Sequence, residues 1–287
     1  MPIAVLTFAF DPIAHPFGDV AVRWGVIALA GVLLASLVLT GLLARVAGLR
    51  LDDLAFIAIG AVPGAVVGGR LGYALLHWDW FGSRLGAIPD PAVGSLELGL
   101  GVLGGVLTAA YVARLLGAPV GQWLQVAIGP LLFALGAGKL TMVLTGAGQG
   151  TPSEGAWATA YAGPGPWGSL APALPSLPSQ AFEGIATLVL LAAMTLILMA
   201  GGLRRSDGRA FLLGLSGWGV LRAAVSTSWR DQPIVAGLNA GSLIAILVVL
   251  VSMVGLLWVG SLRPRRQERA QRAAAVRWAD QEARPRV

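Results

Sequence analysis

The sequence contains no cysteine, only two histidines and, among its 20 basic residues, a single lysine, Lys139. The absence of cysteine excludes disulfides, thiolate metal sites and a cysteine nucleophile. With only His15 and His77 available, a histidine-based metal site is not expected. These absences leave charged, amide and hydroxyl side chains as the candidate functional groups, and they imply no cofactor.

Charged residues are also scarce, at 12% of the chain, whereas soluble domains carry about 25%. Hydrophobic residues make up 56%, and the mean hydropathy is +0.77. This composition indicates an integral membrane protein. The net charge of +6 would suit nucleic acid. However, the basic residues lie mostly in loops and near the C-terminus, as the positive-inside rule predicts, so no nucleic-acid partner is expected.

Segments of about 20 apolar residues can cross a bilayer as helices. The chain has about seven of them, so we predict an all-α membrane protein with spans at roughly 24–44, 54–77, 98–116, 123–145, 182–202, 210–229 and 236–260. Fourteen loop and tail arginines fall on one side and three on the other. This asymmetry predicts an N-terminus outside the cell and a C-terminus in the cytoplasm.

Two segments outside the spans differ in composition. The loop at about 146–181 lacks basic residues and contains Trp157 and Trp167, which predicts a cap on the outer membrane surface. Residues 263–287 form an arginine-rich cytoplasmic tail that suits anionic headgroups. Residues 1–262 are therefore expected to form one membrane domain.

Charged residues inside the predicted spans are candidates for function. Arg70, Lys139 and Arg222 lie within spans, while Glu97 and Glu183 lie near the outer ends of spans, where water could solvate them. Three cations then face at most two carboxylates. This imbalance favours an anionic ligand such as a lipid phosphate.

Arg70 follows two glycines and lies three residues before Tyr73, so its guanidinium has space to bind phosphate with both prongs. Alternatively, it bonds helix-end carbonyls and is structural. Arg222 lies four residues after Trp218, whose indole could stack on it. Alternatively, Arg222 only fixes helix packing.

Lys139 is the strongest candidate, although near the outer end of its span it could also extend to the surface. Glu183 could act as a base, or it could simply stabilise the N-terminus of its helix. The same alternative applies to Glu97. His15 and His77 lie at the predicted membrane boundaries, where an interfacial position is the simpler interpretation.

Several motifs together resemble the prolipoprotein diacylglyceryl transferase (Lgt) family over about residues 10–257. They occur in the family's order and on matching spans. The motifs are FDP at 10–12, GGRLGY at 68–73, LGG at 103–105, GAGKL at 136–140, PSQAFE at 178–183 and GWGVLR at 217–222.

The resemblance implies a multi-pass enzyme of the bacterial inner membrane. Such an enzyme transfers the diacylglyceryl group of phosphatidylglycerol to the cysteine thiol of a prolipoprotein, whose signal peptide is a possible partner. In this chain it implies Lys139, Arg222 and Glu183 as catalytic residues. It further implies a headgroup site formed by Arg70, Tyr73, Lys139, Arg222, Gly104, Gly105 and Trp218.

The chain departs from the family pattern at several motif positions. Leu103 replaces the histidine of His-Gly-Gly, Lys139 replaces an arginine, and Met142, Thr145 and Ala147 replace two asparagines and a glutamate. A second hypothesis is therefore a catalytically degenerate paralogue that binds anionic phospholipid or a membrane partner. A small-solute transporter is a weaker alternative because the sequence shows no paired repeats.

Overall fold

The computed structural model describes residues 5–90, 92–203 and 206–282, with side chains described as far as Ser261, Phe17 excepted. Helices dominate this part of the chain, and seven of them coincide with the seven predicted spans. An additional single turn, α3, follows α2. The helices are α1 (Trp24–Val46), α2 (Leu51–Leu76), α3 (Trp78–Phe81), α4 (Leu98–Leu115), α5 (Val120–Thr141), α6 (Ser179–Met199), α7 (Arg209–Ser226) and α8 (Ala240–Glu282).

Six of these helices, all except α3 and α7, contain a stretch long and apolar enough to cross a membrane. The protein is thus a helical integral membrane protein, as its composition predicts. The seventh helix, α7, includes Arg209 and Arg222 and is much more buried than α1. On α1 only Gly25 and Ala44 are buried, so most of its aliphatic side chains face outward, as lipid contact requires.

Short strands occur only outside the long helices in the described part of the chain. They pair as β1 with β4 in parallel, β2 with β3 antiparallel and β5 with β6 antiparallel. The first pair joins the N-terminal segment to the predicted cap. The strands are β1 (Leu6–Phe8), β2 (Ile13–Phe17), β3 (Val20–Arg23), β4 (Thr159–Tyr161), β5 (Pro233–Val235) and β6 (Leu238–Asn239).

Helix α2 packs against α4 through glycines. A methyl group built on Gly104 would lie 2.2 Å from the carbonyl oxygen of Gly64, so a larger residue cannot fit without movement. Gly136 and Gly184 make a similar contact between α5 and α6. Small residues at such contacts let helix backbones approach closely, which supports association in lipid.

The main hydrophobic core surrounds α7. Phe211, Leu215 and Trp218 of α7 pack with Ile128 and Leu132 of α5, and all five side chains are fully buried. Met194 of α6 and Val248 of α8 complete the cluster. This packing holds α7 between its neighbours and fixes the position of Arg222, one turn beyond Trp218.

The predicted arginine-rich tail lies largely outside the described side chains. The backbone of α8 continues as a helix to Glu282, and residues 283–287 lie outside the described part of the chain.

Candidate functional site

Four charged side chains from four helices meet in the interior of the bundle. Arg222 donates from one terminal nitrogen to Oε1 of Glu183 at 2.6 Å and from the other to Oε1 of Glu97 at 3.2 Å. The ammonium of Lys139 lies 2.8 Å from Oε2 of Glu183. We call these four residues the ionic cluster. With two cations and two carboxylates, it has no net charge.

Local helix structure places each member of the ionic cluster. Glu97 caps α4 by accepting hydrogen bonds from the backbone N–H groups of Gly99 and Leu100. Glu183 lies in the second turn of α6, and Lys139 lies in the last turn of α5, where a cation is favoured by the helix dipole. Buried charges are tolerated when they are paired, and each of these four faces an opposite charge; Nε of Arg222 is buried without an acceptor among the described residues.

Trp229, in the loop after α7, covers both cations. Its ring centroid lies 4.7 Å from the guanidinium carbon of Arg222 and 5.4 Å from the ammonium of Lys139. Gly241 makes room for this indole, because a methyl group there would lie 2.2 Å from the Trp229 ring. Trp218 contacts Arg222 from the core side at 5.6 Å. Arg222 therefore lies between two aromatic rings, and Lys139 contacts one of them, Trp229.

The ionic cluster lines a cavity of about 970 Å³. One wall is apolar and includes Leu29, Leu33, Leu131 and Leu135. The polar part of the lining comes from the ionic cluster and the loops next to it. A cavity of this size and character suits an amphipathic ligand with a charged head and apolar chains. Its other polar lining residues include Tyr73, His77, Thr141, Gln149, Gln180, Arg230 and Asp231.

The structure corrects the predicted three-cation site, because Arg70 does not reach this cavity. Its guanidinium donates to the carbonyl oxygens of Ala87 at 3.0 Å, Asp90 at 2.8 Å and Ser95 at 3.2 Å, and also to that of Ile88. It lines a separate cavity of about 510 Å³. Arg70 thus organises the loop between α3 and α4, in agreement with the structural alternative.

The predicted excess of positive charge is also wrong for this cavity. Glu97 and Glu183 were expected to be solvated by water, but they are 7% and 1% exposed and pair with the cations. A position near the end of a span therefore does not make a carboxylate solvent-facing in this protein. Residues of the loops that follow α5 and α7, among them Gln149 and Trp229, line the same cavity as both carboxylates.

Three other predicted headgroup residues have packing positions. Gly104 and Gly105 lie at the α2–α4 contact, where their neighbours are Gly64 and Ala65. Trp218 is fully buried in the core. These positions do not line the cavity, so direct headgroup contact is not supported for them. Tyr73 does line it.

Several cavity residues lacked a clear sequence signal. Trp229 sits in a loop between apolar segments, and Gln149 and Gln180 are neutral amides that a search for charge passes over. His77 lines the cavity, and its Nδ1 lies 2.9 Å from the carbonyl oxygen of Tyr73. Spacing on a helix identifies neighbours on one element, but these residues meet only through the tertiary fold.

The cap beside the cavity contains an aromatic cluster. The ring of Tyr161 stacks on Phe8 at 5.1 Å and lies 4.8 Å from Trp167, which in turn meets Phe10 edge-on. Burial raises the pKa of Tyr161 to about 12. The cluster binds the N-terminal strand to the cap next to the cavity.

Residues 12–258 match the model of the family described as prolipoprotein diacylglyceryl transferase. The chain belongs to this family. A protein of Brucella canis is 30% identical over 292 aligned positions, covering 96% of this chain and 97% of that protein. Proteins of Paramagnetospirillum magneticum and Nitrobacter hamburgensis are 29% and 31% identical, covering 88% and 68% of this chain and 97% and 69% of their own. All three are named phosphatidylglycerol–prolipoprotein diacylglyceryl transferase.

The structure shows the surroundings of two residues that depart from the motifs of the diacylglyceryl transferase family, Leu103 and Met142. Leu103 packs against the hydrophobic core, and Met142 lines the cavity. Gly25 lies at the start of the first span, against the end of α5. A methyl group at Gly25 would lie 2.5 Å from Cγ2 of Thr145, so α1 and the end of α5 are too close here for a side chain.

Proposed function

We propose that this protein is a phosphatidylglycerol-dependent prolipoprotein diacylglyceryl transferase. One observation carries the proposal: within a chain of this family, Lys139 and Arg222 lie side by side at the wall of a large cavity with an apolar side. A phospholipid needs both features, cations for its phosphate and an apolar surface for its acyl chains. In the family's reaction, the phosphate also becomes part of the leaving group.

Lys139 and Arg222 bind the phosphate in this proposal, and the phosphate competes with Glu183 for both cations. In the free protein each oxygen of Glu183 faces one cation, at 2.6 Å from Arg222 and 2.8 Å from Lys139. A bound phosphate weakens these contacts and leaves the carboxylate able to accept a proton. Glu97 keeps Arg222 in place, because it remains tied to the N-terminus of α4.

In this proposal Glu183 takes the proton of the acceptor cysteine thiol. The thiolate then attacks the carbon of the diacylglyceryl group that is bonded to the phosphate oxygen. The S–C bond forms while the C–O bond to phosphate breaks, and glycerol phosphate leaves with the electron pair. Lys139 and Arg222 stabilise the charge on that leaving group, and Glu183 returns its proton to it.

A second function has one observation in its favour. Leu103, Met142 and Ala147 occupy motif positions where the family has polar or charged residues, and Leu103 is packed in the core. A protein with the same cavity but without these groups could bind anionic phospholipid without turnover. The catalytically degenerate paralogue therefore remains the alternative.

We also propose that α7 crosses the membrane as a seventh span, with the N-terminus outside and the C-terminus in the cytoplasm of a bacterial inner-membrane protein. Helix α7 has 18 residues and lies inside the bundle, where Arg222 is buried, while Arg209 is the first residue of the helix and is partly exposed. Residues 1–262 then form the membrane domain, residues 146–181 cap its outer face, and 263–287 form a cytoplasmic tail.

The test is transfer by the purified protein. The protein is incubated in phosphatidylglycerol vesicles with a synthetic prolipoprotein peptide, next to an active relative as a positive control, and the peptide mass is measured. We expect the mass of one diacylglyceryl group to be added, and we expect Lys139→Ala to abolish the addition. Arg84→Ala, on an exposed loop, is the matched control and retains it.

If the relative is active and the wild-type protein adds no mass, the transferase proposal fails. Phosphatidylglycerol that still copurifies would then support the degenerate paralogue.

A further inference from the structure

Two buried amide oxygens at the cavity accept no hydrogen bond from the described residues. They are Oε1 of Gln149 and Oε1 of Gln180. The two side chains are 7% and 1% exposed, and both residues line the cavity that contains the ionic cluster. A buried acceptor without a donor is unfavourable, so a ligand that supplies one gains affinity.

The amide nitrogens of both residues are already used. Nε2 of Gln149 donates to the carbonyl oxygen of Thr159 at 2.9 Å, and a carbonyl can only accept, so the orientation of this amide is fixed. Nε2 of Gln180 donates to the Tyr161 hydroxyl at 3.4 Å. Gln149 therefore still offers a ligand an acceptor, and Gln180 does the same in the orientation in which its Nε2 donates to Tyr161.

The backbone brings the two glutamines together. A methyl group on Gly148 would lie 3.2 Å from Cβ of Gln180, and the N–H of Gly150 donates to the carbonyl of Leu177 at 2.7 Å. Gly148 has a φ of +77°, which favours glycine. The loop carrying Gln149 is therefore held against the start of α6, where Gln180 lies.

The pair also stands beside the phosphate-binding cations. Gln180 and Glu183 are three residues apart on α6, so they lie on the same helix face within about one turn. Glu183 contacts both Lys139 and Arg222. A headgroup whose phosphate lies at the cations can thus place the atoms beyond its phosphate near the two amide oxygens.

We propose that Gln149 and Gln180 accept hydrogen bonds from hydroxyl groups of the lipid headgroup, and so select a phospholipid whose headgroup is a polyol. This inference rests on the proposed function, because it assumes that the phosphate binds at Lys139 and Arg222. The two glutamines would add specificity to the site. The cations bind the phosphate of any phospholipid, whereas the glutamines bind hydroxyl groups of the headgroup that lie beyond the phosphate.

The test compares phosphatidylglycerol with phosphatidylpropanol, a lipid with the same phosphate and acyl chains but no headgroup hydroxyl. Detergent-purified protein is equilibrated with an equimolar mixture, and retained lipid is measured by mass spectrometry. We expect the wild-type protein to retain more phosphatidylglycerol than phosphatidylpropanol. Gln149→Met is expected to lower the ratio of the two retained lipids by about tenfold, with less phosphatidylglycerol retained and the amount of phosphatidylpropanol unchanged.

Gln125 provides a matched control. Its Oε1 is also buried and unpartnered among the described residues, its Nε2 donates to the carbonyl of Leu203, and it lines neither of the two cavities. Gln125→Met is expected to leave the lipid preference unchanged. If Gln149→Met does not fold, Gln180→Met gives the same comparison from the other half of the pair.

Equal retention of the two lipids by the wild-type protein would overturn the inference. So would a glutamine variant that loses both lipids in parallel, since this would indicate a structural role. In either case, transfer to the prolipoprotein peptide would leave the proposed function standing. Retention of neither lipid, together with no transfer, would overturn both.

Discussion

At the scale of single residues, Arg222 has the most connected position. Its guanidinium binds one carboxylate on α6 and another at the start of α4, and its face lies against Trp229. The planar fork of arginine suits this arrangement, whereas a lysine ammonium cannot reach two carboxylates in the same geometry. Arg222 therefore joins three helices and also presents charge to the cavity.

Replacing Arg222 is expected to affect stability and function together. Arg222→Ala leaves Glu97 without its cation and Glu183 with Lys139 alone, and loss of one partner of a buried ion pair costs about 3–5 kcal/mol. Thermal unfolding in detergent measures this loss. Arg209→Ala removes a half-exposed arginine whose pair with Asp207 spans 3.4 Å, so it should cost about 1 kcal/mol or less. Equal effects of the two variants would contradict the central position of Arg222.

Arg70 has a different role at the same scale. Because its guanidinium binds four carbonyl oxygens of residues 87–95, Arg70→Leu is expected to release this loop. Limited proteolysis should then cut the variant within residues 85–95 faster than the wild-type protein. An unchanged cleavage pattern with a loss of bound phospholipid would contradict this role and restore Arg70 as a headgroup ligand.

At the scale of elements, close helix contacts depend on glycine. Gly64 and Gly104 bring the backbones of α2 and α4 together, and Gly25 does the same for α1 and the end of α5. These contacts set the distances between helices around the cavity. They also explain why glycines of the LGG motif, expected at the headgroup, belong instead to the helix packing.

A methyl group at the α2–α4 contact is expected to destabilise the protein. Gly104→Ala places Cβ 2.2 Å from the Gly64 carbonyl oxygen and should cost about 1–3 kcal/mol, as overpacking usually does. Gly31→Ala is the matched control, because nothing lies within 4 Å of the added methyl on α1. The measurement is the thermal unfolding temperature of each variant in detergent. A stable Gly104→Ala protein that loses only lipid binding would contradict the packing role.

The long helices were predictable from the sequence because each is a long apolar segment bounded by charged or turn-forming residues. Helices α1, α2 and α4 begin at or within three residues of their predicted starts. The short strands were not predictable in the same way. Strands β1 and β4 pair across about 150 residues, and such pairing is determined by the tertiary fold rather than by local pattern.

At the scale of the whole molecule, the two cations of the ionic cluster and Glu183 were predictable from the sequence, but the pairing of the charges was not. Lys139 and Arg222 were found because charge is rare in apolar spans. Their carboxylate partners, Glu97 and Glu183, were not predictable as buried, because a position near the end of a span does not reveal which other segments cover that residue. Gln149 and Trp229 come from loops that only the complete fold brings to the cavity.

The absence of native cysteine allows a direct test of the proposed membrane orientation. Ala156→Cys places a thiol in the exposed cap, and Ser206→Cys places one in the exposed turn before α7. In intact spheroplasts, a membrane-impermeant maleimide is expected to label position 156 and not position 206. After lysis both should react. The reverse labelling pattern in intact cells would contradict the assigned orientation.

We propose above all that the cavity beside Lys139 and Arg222 holds an anionic phospholipid. The most direct measurement is mass spectrometry of lipid retained by the purified protein, comparing the wild type with Lys139→Ala. Phosphatidylglycerol is expected to copurify with the wild-type protein and to fall severalfold in the variant, while Arg84→Ala retains it. If Lys139→Ala folds and retains as much phosphatidylglycerol as the wild type, the claim is contradicted.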